Sequence, residues 1–158
     1  MINIIPLAQN YEIPVISYGS ETTAEPLPTV PGFYRINQSL KSKTEALASV
    51  CEHFGWSQVG LIHSKEAWGL DSLKNIEEYN LKKKDHKLKL VSIVPVGIDL
   101  NYTTAKQAVE QLKRENVKIV ILQIFKRQLK YIYKALKDAG MVTQGYAYAQ
   151  CGKMNKMA

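Results

Sequence analysis

The run Lys118-Ile-Val-Ile-Leu-Gln-Ile-Phe125 constrains the fold of this chain more than any other stretch. A strand covered on one face alternates apolar and polar residues, because successive side chains point to opposite sides. Ile119-Val-Ile-Leu122 is apolar at every position, so both of its faces need cover. That need is met at the centre of a parallel sheet with helices packed above and below. The flanking segments agree. Gln58 to His63, Leu90 to Val96 and Gly145 to Ala149 read as further strands. Between them lie helical patterns at about 68–84, at 103–115 with Ala105, Ala108, Val109 and Leu112 on one stripe, and at 127–139 with Leu129, Ile132, Tyr133 and Leu136, stopped by Gly140. Upstream, Ser42-Lys-Thr-Glu45 fits a capping box. It opens a helix that places Ala46, Leu47, Val50, Cys51 and Phe54 on one face, with Gly55 as its stop. Strand–helix alternation at these lengths predicts right-handed βαβ units: an α/β fold with a doubly wound, mainly parallel sheet and helices on both faces.

The first part of the chain does not follow this pattern. Residues 2–10 read as the end of a helix, and Ile13 to Ser17 as a short apolar strand. Residues 19–32 form a loop with Pro26, Pro28 and Pro31, and Phe33 to Ile36 is an extended link. The strand at 13–17 has no partner of its own in this reading and should belong to a sheet that the chain does not complete. The expected organisation is 1–32 as a partial first lobe, 33–37 as an inter-lobe link, 38–150 as a nearly complete second lobe and 151–158 as a ragged C-terminus.

Composition excludes more than it assigns. A chain of 158 residues with 46% hydrophobic and 22% charged residues is about one domain long and can bury a core. The net charge of +7 is concentrated, on this reading, in Lys82-Lys-Lys-Asp-His-Lys-Leu-Lys89. An anionic partner would use such a run, but a solvated helix end, where cations favour the helix dipole, is the preferred reading. Without interleaved aromatics the run does not point to nucleic acid. Cys51 and Cys151 show no metal spacing and no Cys-x-x-Cys; Cys51 falls on an apolar helical face as a buried free thiol. The N-terminus lacks the features of a signal peptide, and the longest apolar run is far short of the roughly 20 residues a membrane helix needs. Taken literally, the sequence is neither exported nor membrane-spanning.

Support for catalysis is slight. His53, His63 and His86 stand in no ligand or acid–base spacing, and no nucleophile elbow, phosphate loop or dinucleotide fingerprint occurs. Cys51 and His53 lie two apart on a helix and face different ways. No cofactor is implied. What remains is a general rule: ligands of open α/β sheets bind beyond the carboxyl ends of the strands. It selects Gly19-Ser-Glu21, Ser64 to Gly69, Phe125-Lys126 and Gln150 to Lys153, a set that suits a small polar ligand. Asn37-Gln-Ser39 and Asn101-Tyr-Thr103 are glycosylation sequons, Asn101 in a loop before a helix.

Ile13-Pro-Val-Ile-Ser-Tyr-Gly-Ser20, Phe33-Tyr-Arg35 and Phe54-Gly-Trp56, supported by Gln111-Leu-Lys-Arg114 and Lys118-Ile-Val-Ile121, resemble in order and spacing the extracellular ligand-binding region of class C G-protein-coupled receptors. This is a Venus flytrap of the periplasmic-binding-protein type I kind, and the resemblance is closest to the metabotropic GABA branch. It implies two lobes closing on a small amino-acid-like ligand, a receptor dimer partner, and a parent on the extracellular side of the plasma membrane, attached through regions outside this fragment. It implies that Ser20 and Glu21 hold the ligand on the first lobe, with Glu21 replacing the usual serine or threonine. Asn37 matches a ligand-facing histidine. Phe125 matches an aromatic of the second-lobe rim, and Trp68, followed by Gly69, matches a tyrosine–glycine pair near the ligand amine. Lys153 stands where an aromatic is expected. Natriuretic-peptide-type and ionotropic glutamate-type receptors, and soluble periplasmic-type amino-acid transport proteins, share the same clamshell and are the alternatives.

Overall fold

The computed structural model describes residues 5–18, 31–83 and 87–150. Along them run α1 (Ile5–Asn10), β1 (Val15–Ser17), β2 (Phe33–Arg35), α2 (Leu40–His53), β3 (Gln58–Ser64), α3 (Ala67–Lys82), β4 (Lys89–Val96), α4 (Tyr102–Arg114), β5 (Ile119–Gln123), α5 (Lys126–Asp138) and β6 (Ala147–Gln150). Two separate sheets result. One holds four strands in the order β4-β3-β5-β6, and the other pairs β1 with β2. All pairs are parallel. The expected doubly wound α/β architecture is therefore present. The strand at 13–17 does have a partner within the chain: Val15, Ile16 and Ser17 align with Phe33, Tyr34 and Arg35, so the segment read as a plain link is itself a strand.

Both faces of the larger sheet are covered. Strand alternation sends Val59 and Leu61 of β3 and Ile119 and Ile121 of β5 to one side, where they pack with Ala48 and Cys51 of α2 and with Ile76 and Tyr79 of α3. Ile62, Val120 and Leu122 point to the other side and join Ala105, Val109 and Leu112 of α4 and Ile132 and Leu136 of α5. This double burial is what the unbroken apolar run of β5 requires. Cys51 is a buried free thiol, and burial raises its pKa. Cys151 lies outside the described residues.

The start of α2 differs from the sequence expectation. Ser39, not Ser42, is the N-cap, and its Oγ accepts the Ser42 N–H at 3.2 Å. The helix begins one turn earlier because Leu40 is fully buried and must lie inside the helical face. That face consists of Leu40, Thr44, Ala48 and Cys51, while Ala46, Val50 and Phe54 are exposed. Gly55 and Gly140, both at positive φ, follow the ends of α2 and α5 as read from the sequence. Asn116 takes the same conformation after α4.

The basic run also has a different environment. Lys82 pairs with Glu45 and Lys83 with Glu52, both acids of α2; the Glu52 hydrogen bond is the main cause that raises the Lys83 pKa. Lys84, Asp85 and His86 lie outside the described residues. Asn80 closes this loop by donating to the Leu88 carbonyl and accepting the Leu88 N–H, both at 2.8 Å.

Candidate functional site

The strand order β4-β3-β5-β6 means that the chain leaves β3 toward one edge and returns to lay β5 on the other side. The helices after β3 and β5 therefore lie on opposite faces, and their first turns flank the carboxyl ends of these two strands, the place where open α/β sheets bind ligands. Trp68 in the first turn of α3 and Phe125 just before α5 meet there. Their rings stack with centroids 5.3 Å apart and planes 25° apart. Two residues read from the sequence as independent rim aromatics form one platform. The Arg127 guanidinium lies 5.9 Å from the Phe125 ring centre.

Close backbone packing sets the position of Trp68. A Cβ at Gly69 would collide with the Ser64 carbonyl oxygen and would lie 2.7 Å from Ser64 N and Oγ. Only glycine lets α3 begin directly against the last residue of β3, and this holds Trp68 at the carboxyl end of that strand. Phe125 is fixed from its other side. Gln128, buried in the first turn of α5, accepts the Phe125 N–H at 2.8 Å through Oε1 and donates through Nε2 to the Gly97 carbonyl. The loops after β4 and β5 are thereby tied together, and the Lys65 N–H bonded to Val96 O at 2.9 Å joins the loop after β3 to the end of β4.

The face of the sheet under α2 and α3 changes character along its length. Toward the amino ends of the strands it presents Val59, Leu61 and Ile121; at the carboxyl ends it presents His63 and Gln123, both buried and aligned in the sheet register. His63 Nδ1 lies 2.9 Å from its neighbour's carbonyl, Ser64 O. Ser64 Oγ, Glu66 Oε2 and Gln123 Nε2 are buried without a hydrogen-bond partner among the described residues. Such groups are costly to leave unmatched in a native fold. The sequence reading missed Gln123 and Gln128 as site residues. The signal was available for Gln123, a polar residue in an otherwise unbroken apolar strand.

The other expected site residues are placed as follows. Asn37 is half-buried in the connection between β2 and α2, not in the loops that end β3, β4 and β5. Ser20, Glu21 and Lys153 lie outside the described residues. Asn101 is exposed and caps α4: its Oδ1 accepts the Thr104 N–H at 3.0 Å, and Thr104 Oγ1 accepts the Asn101 N–H at 3.2 Å. Among the described residues no group of acidic, histidine or cysteine side chains could hold a metal ion, and no helix is long and apolar enough to cross a membrane.

The parallel α/β sheet with helices on both faces agrees with the comparison to known proteins. The sequence family described as receptor family ligand binding region matches residues 1–156. The chain belongs to that family. Among individual proteins it is similar to Glutamate receptor 2.2 of Arabidopsis thaliana, 22% identical over 147 residues, and to Glutamate receptor 2.4 of the same plant, 20% identical over 150 residues. Each alignment takes in 92% of this chain but only 15% and 16% of the respective receptor. The general receptor resemblance read from the sequence therefore holds, whereas its finer branch does not. The similar proteins are glutamate receptors rather than GABA-type class C receptors, which favours the alternative named beside that branch.

Proposed function

We propose that this chain is part of the extracellular ligand-binding region of a glutamate-receptor-type protein, and that it supplies one wall of a cleft for a small amino-acid-like ligand. The Trp68–Phe125 stack at the strand reversal, beside the unmatched polar groups of Ser64, Glu66 and Gln123, is the observation that carries this reading. An amino acid offers what such a wall lacks. Its ammonium group complements the Glu66 carboxylate, and its carboxylate is favoured by the positive ends of α3 and α5. The ring pair covers the apolar part of the ligand.

In this proposal residues 1–32 belong to the first lobe, with Ser20 and Glu21 on the opposite wall, 33–37 form the link, and 38–150 form the second lobe. The separate β1–β2 sheet supports that division. So does its unburied apolar surface, which includes Ile13, Ile16, Tyr34 and Ile36. Such a cluster is the mark of a surface made to be covered. The parent receptor would hold this region outside the plasma membrane and act with a dimer partner.

The chain contains two tryptophans, so Trp56→Phe leaves Trp68 as the sole indole reporter. Titration of that variant with glutamate, glycine and glutarate then reads the platform directly. The two amino acids should change Trp68 emission with affinity of about millimolar, since one wall supplies only part of the binding energy. Glutarate, which lacks the ammonium group, should not. Phe125→Ala and Glu66→Gln should each weaken the response. Equal responses to glutamate and glutarate, or no response to either amino acid at about 10 mM, would remove this reading.

A further inference from the structure

Asn101-Tyr-Thr103 and Asn37-Gln-Ser39 both have the spacing of a glycosylation acceptor, an amide followed two residues later by a hydroxyl. Spacing alone does not rank them. Their places in the fold do, because a glycan is bulky and hydrated and must leave the surface from an accessible amide nitrogen.

Asn101 and Thr103 are both exposed. Asn101 has extended backbone, with φ −111° and ψ 178°, and stands at the N-cap of α4. The cap uses only one end of its side-chain amide. Oδ1 accepts the Thr104 N–H at 3.0 Å and lies 3.2 Å from Thr104 Oγ1. Among the described residues neither Asn101 Nδ2 nor the Thr103 hydroxyl makes a hydrogen bond. A glycosylated amide keeps its carbonyl oxygen, so a sugar on Nδ2 leaves the cap in place. There is also room beside it. Asn101 lines a groove of about 650 Å³ together with Thr104, Gln107, Gln111 and Arg114, whose amides and guanidinium can hydrogen-bond sugar hydroxyls.

Asn37 offers neither feature. It is half-buried in the connection from β2 to α2. The hydroxyl two residues on belongs to Ser39, the half-buried N-cap of α2, and is already engaged. It accepts the Ser42 N–H at 3.2 Å and lies 3.0 Å from Ser42 Oγ.

We infer that Asn101 is an N-glycosylation site of this chain and that Asn37 is left bare. In the reaction Asn101 Nδ2 attacks the anomeric carbon of an oligosaccharide carried on a lipid diphosphate. The C–N bond forms, and the C–O bond to the diphosphate breaks. The lipid diphosphate leaves with that electron pair, and the amide gives up one proton. The inference rests on the extracellular placement proposed above, because this donor is met on the export route.

Expression in a eukaryotic cell behind a cleavable heterologous secretion signal tests the site apart from the parent's location, since export is then supplied by the experiment. Whole-cell lysate and medium are both read, so slow release does not hide the product. The chain should carry a single glycan that peptide N-glycosidase removes. Release in heavy-oxygen water should label Asn101 and not Asn37 by mass spectrometry. Thr103→Ala, which leaves the Asn101 cap untouched, should lose the glycan, and Thr103→Ser should retain it. Asn37→Gln should change nothing. No glycan at Asn101, a glycan at Asn37, or a glycan that survives Thr103→Ala would overturn the inference. A glycan at Asn101 with a failed Trp68 titration would leave the site standing and remove the ligand reading alone.

Discussion

At the residue scale, the Trp68–Phe125 stack depends on one missing methyl group, at Gly69. Gly69→Ala would force α3 away from the end of β3 or distort the Ser64 backbone, and overpacking of this kind costs about 1–3 kcal/mol. Urea denaturation should show that loss, and Trp68 emission should shift as its stack with Phe125 loosens. The sequence marked Trp68, Gly69 and Phe125 through the resemblance and the strand-end rule. It could not show that the two rings touch, because that depends on β3 and β5 being neighbours across a reversal of strand order. Tyr148 gives a second residue-level prediction. Burial, with a smaller contribution from Tyr146, pushes its pKa up to about 12, and its hydroxyl donates to Met141 O at 2.8 Å. The unfolded chain releases this proton near pH 10 while the folded chain retains it. The folded state therefore binds more protons between these values, and its stability falls as pH rises from about 10 to about 12. Chemical denaturation across that window should show a smaller pH slope for Tyr148→Phe than for the unmodified chain.

At the element scale, strand and helix types were legible because the periodicities are strong, whereas the start of α2 was not. Ser39-Leu-Lys-Ser42 and Ser42-Lys-Thr-Glu45 each place a serine three residues before a candidate partner. Local capping chemistry cannot choose between them; burial of Leu40 does. Ser39→Ala should therefore cost about 1 kcal/mol of stability. Ser42→Ala, which removes a hydroxyl from within the first turn, should stay within about 0.5 kcal/mol. A larger loss at Ser42 than at Ser39 in thermal unfolding would restore the later start. Val50 and Phe54 are on the outside because the buried face follows Leu40, Thr44, Ala48 and Cys51, and Phe54 already lies at the C-cap. The expected stripe was consistent with helical spacing, but it was turned from the face that Leu40, Ala48 and Cys51 bury.

At the scale of the whole molecule, the described chain holds one well-filled sheet and one that is exposed on one face. β3 and β5 lie between two apolar layers, whereas Ile16 of β1 is 68% exposed and Tyr34 of β2 is 61% exposed. The sequence showed this asymmetry as a break in strand–helix alternation. It did not show that residues 33–35 would pair with 15–17, because a three-residue strand carries too little pattern to separate it from an extended link. The energetic consequence can be measured. Backbone hydrogen bonds with apolar cover on both faces open only with global unfolding, while those in a thin exposed ribbon open locally at much smaller free energy. In native-state hydrogen exchange, the ladder amides of Val15–Ser17 and Phe33–Arg35 should exchange far faster than those of Val120–Leu122. Rising denaturant should accelerate the β5 amides steeply and leave those of β1 and β2 almost unchanged, since little surface is exposed when a short two-stranded ribbon opens. If the two sets converge on one rate and one denaturant slope, the sheets unfold as a single cooperative unit, and the assignment of residues 1–32 to a separate lobe fails.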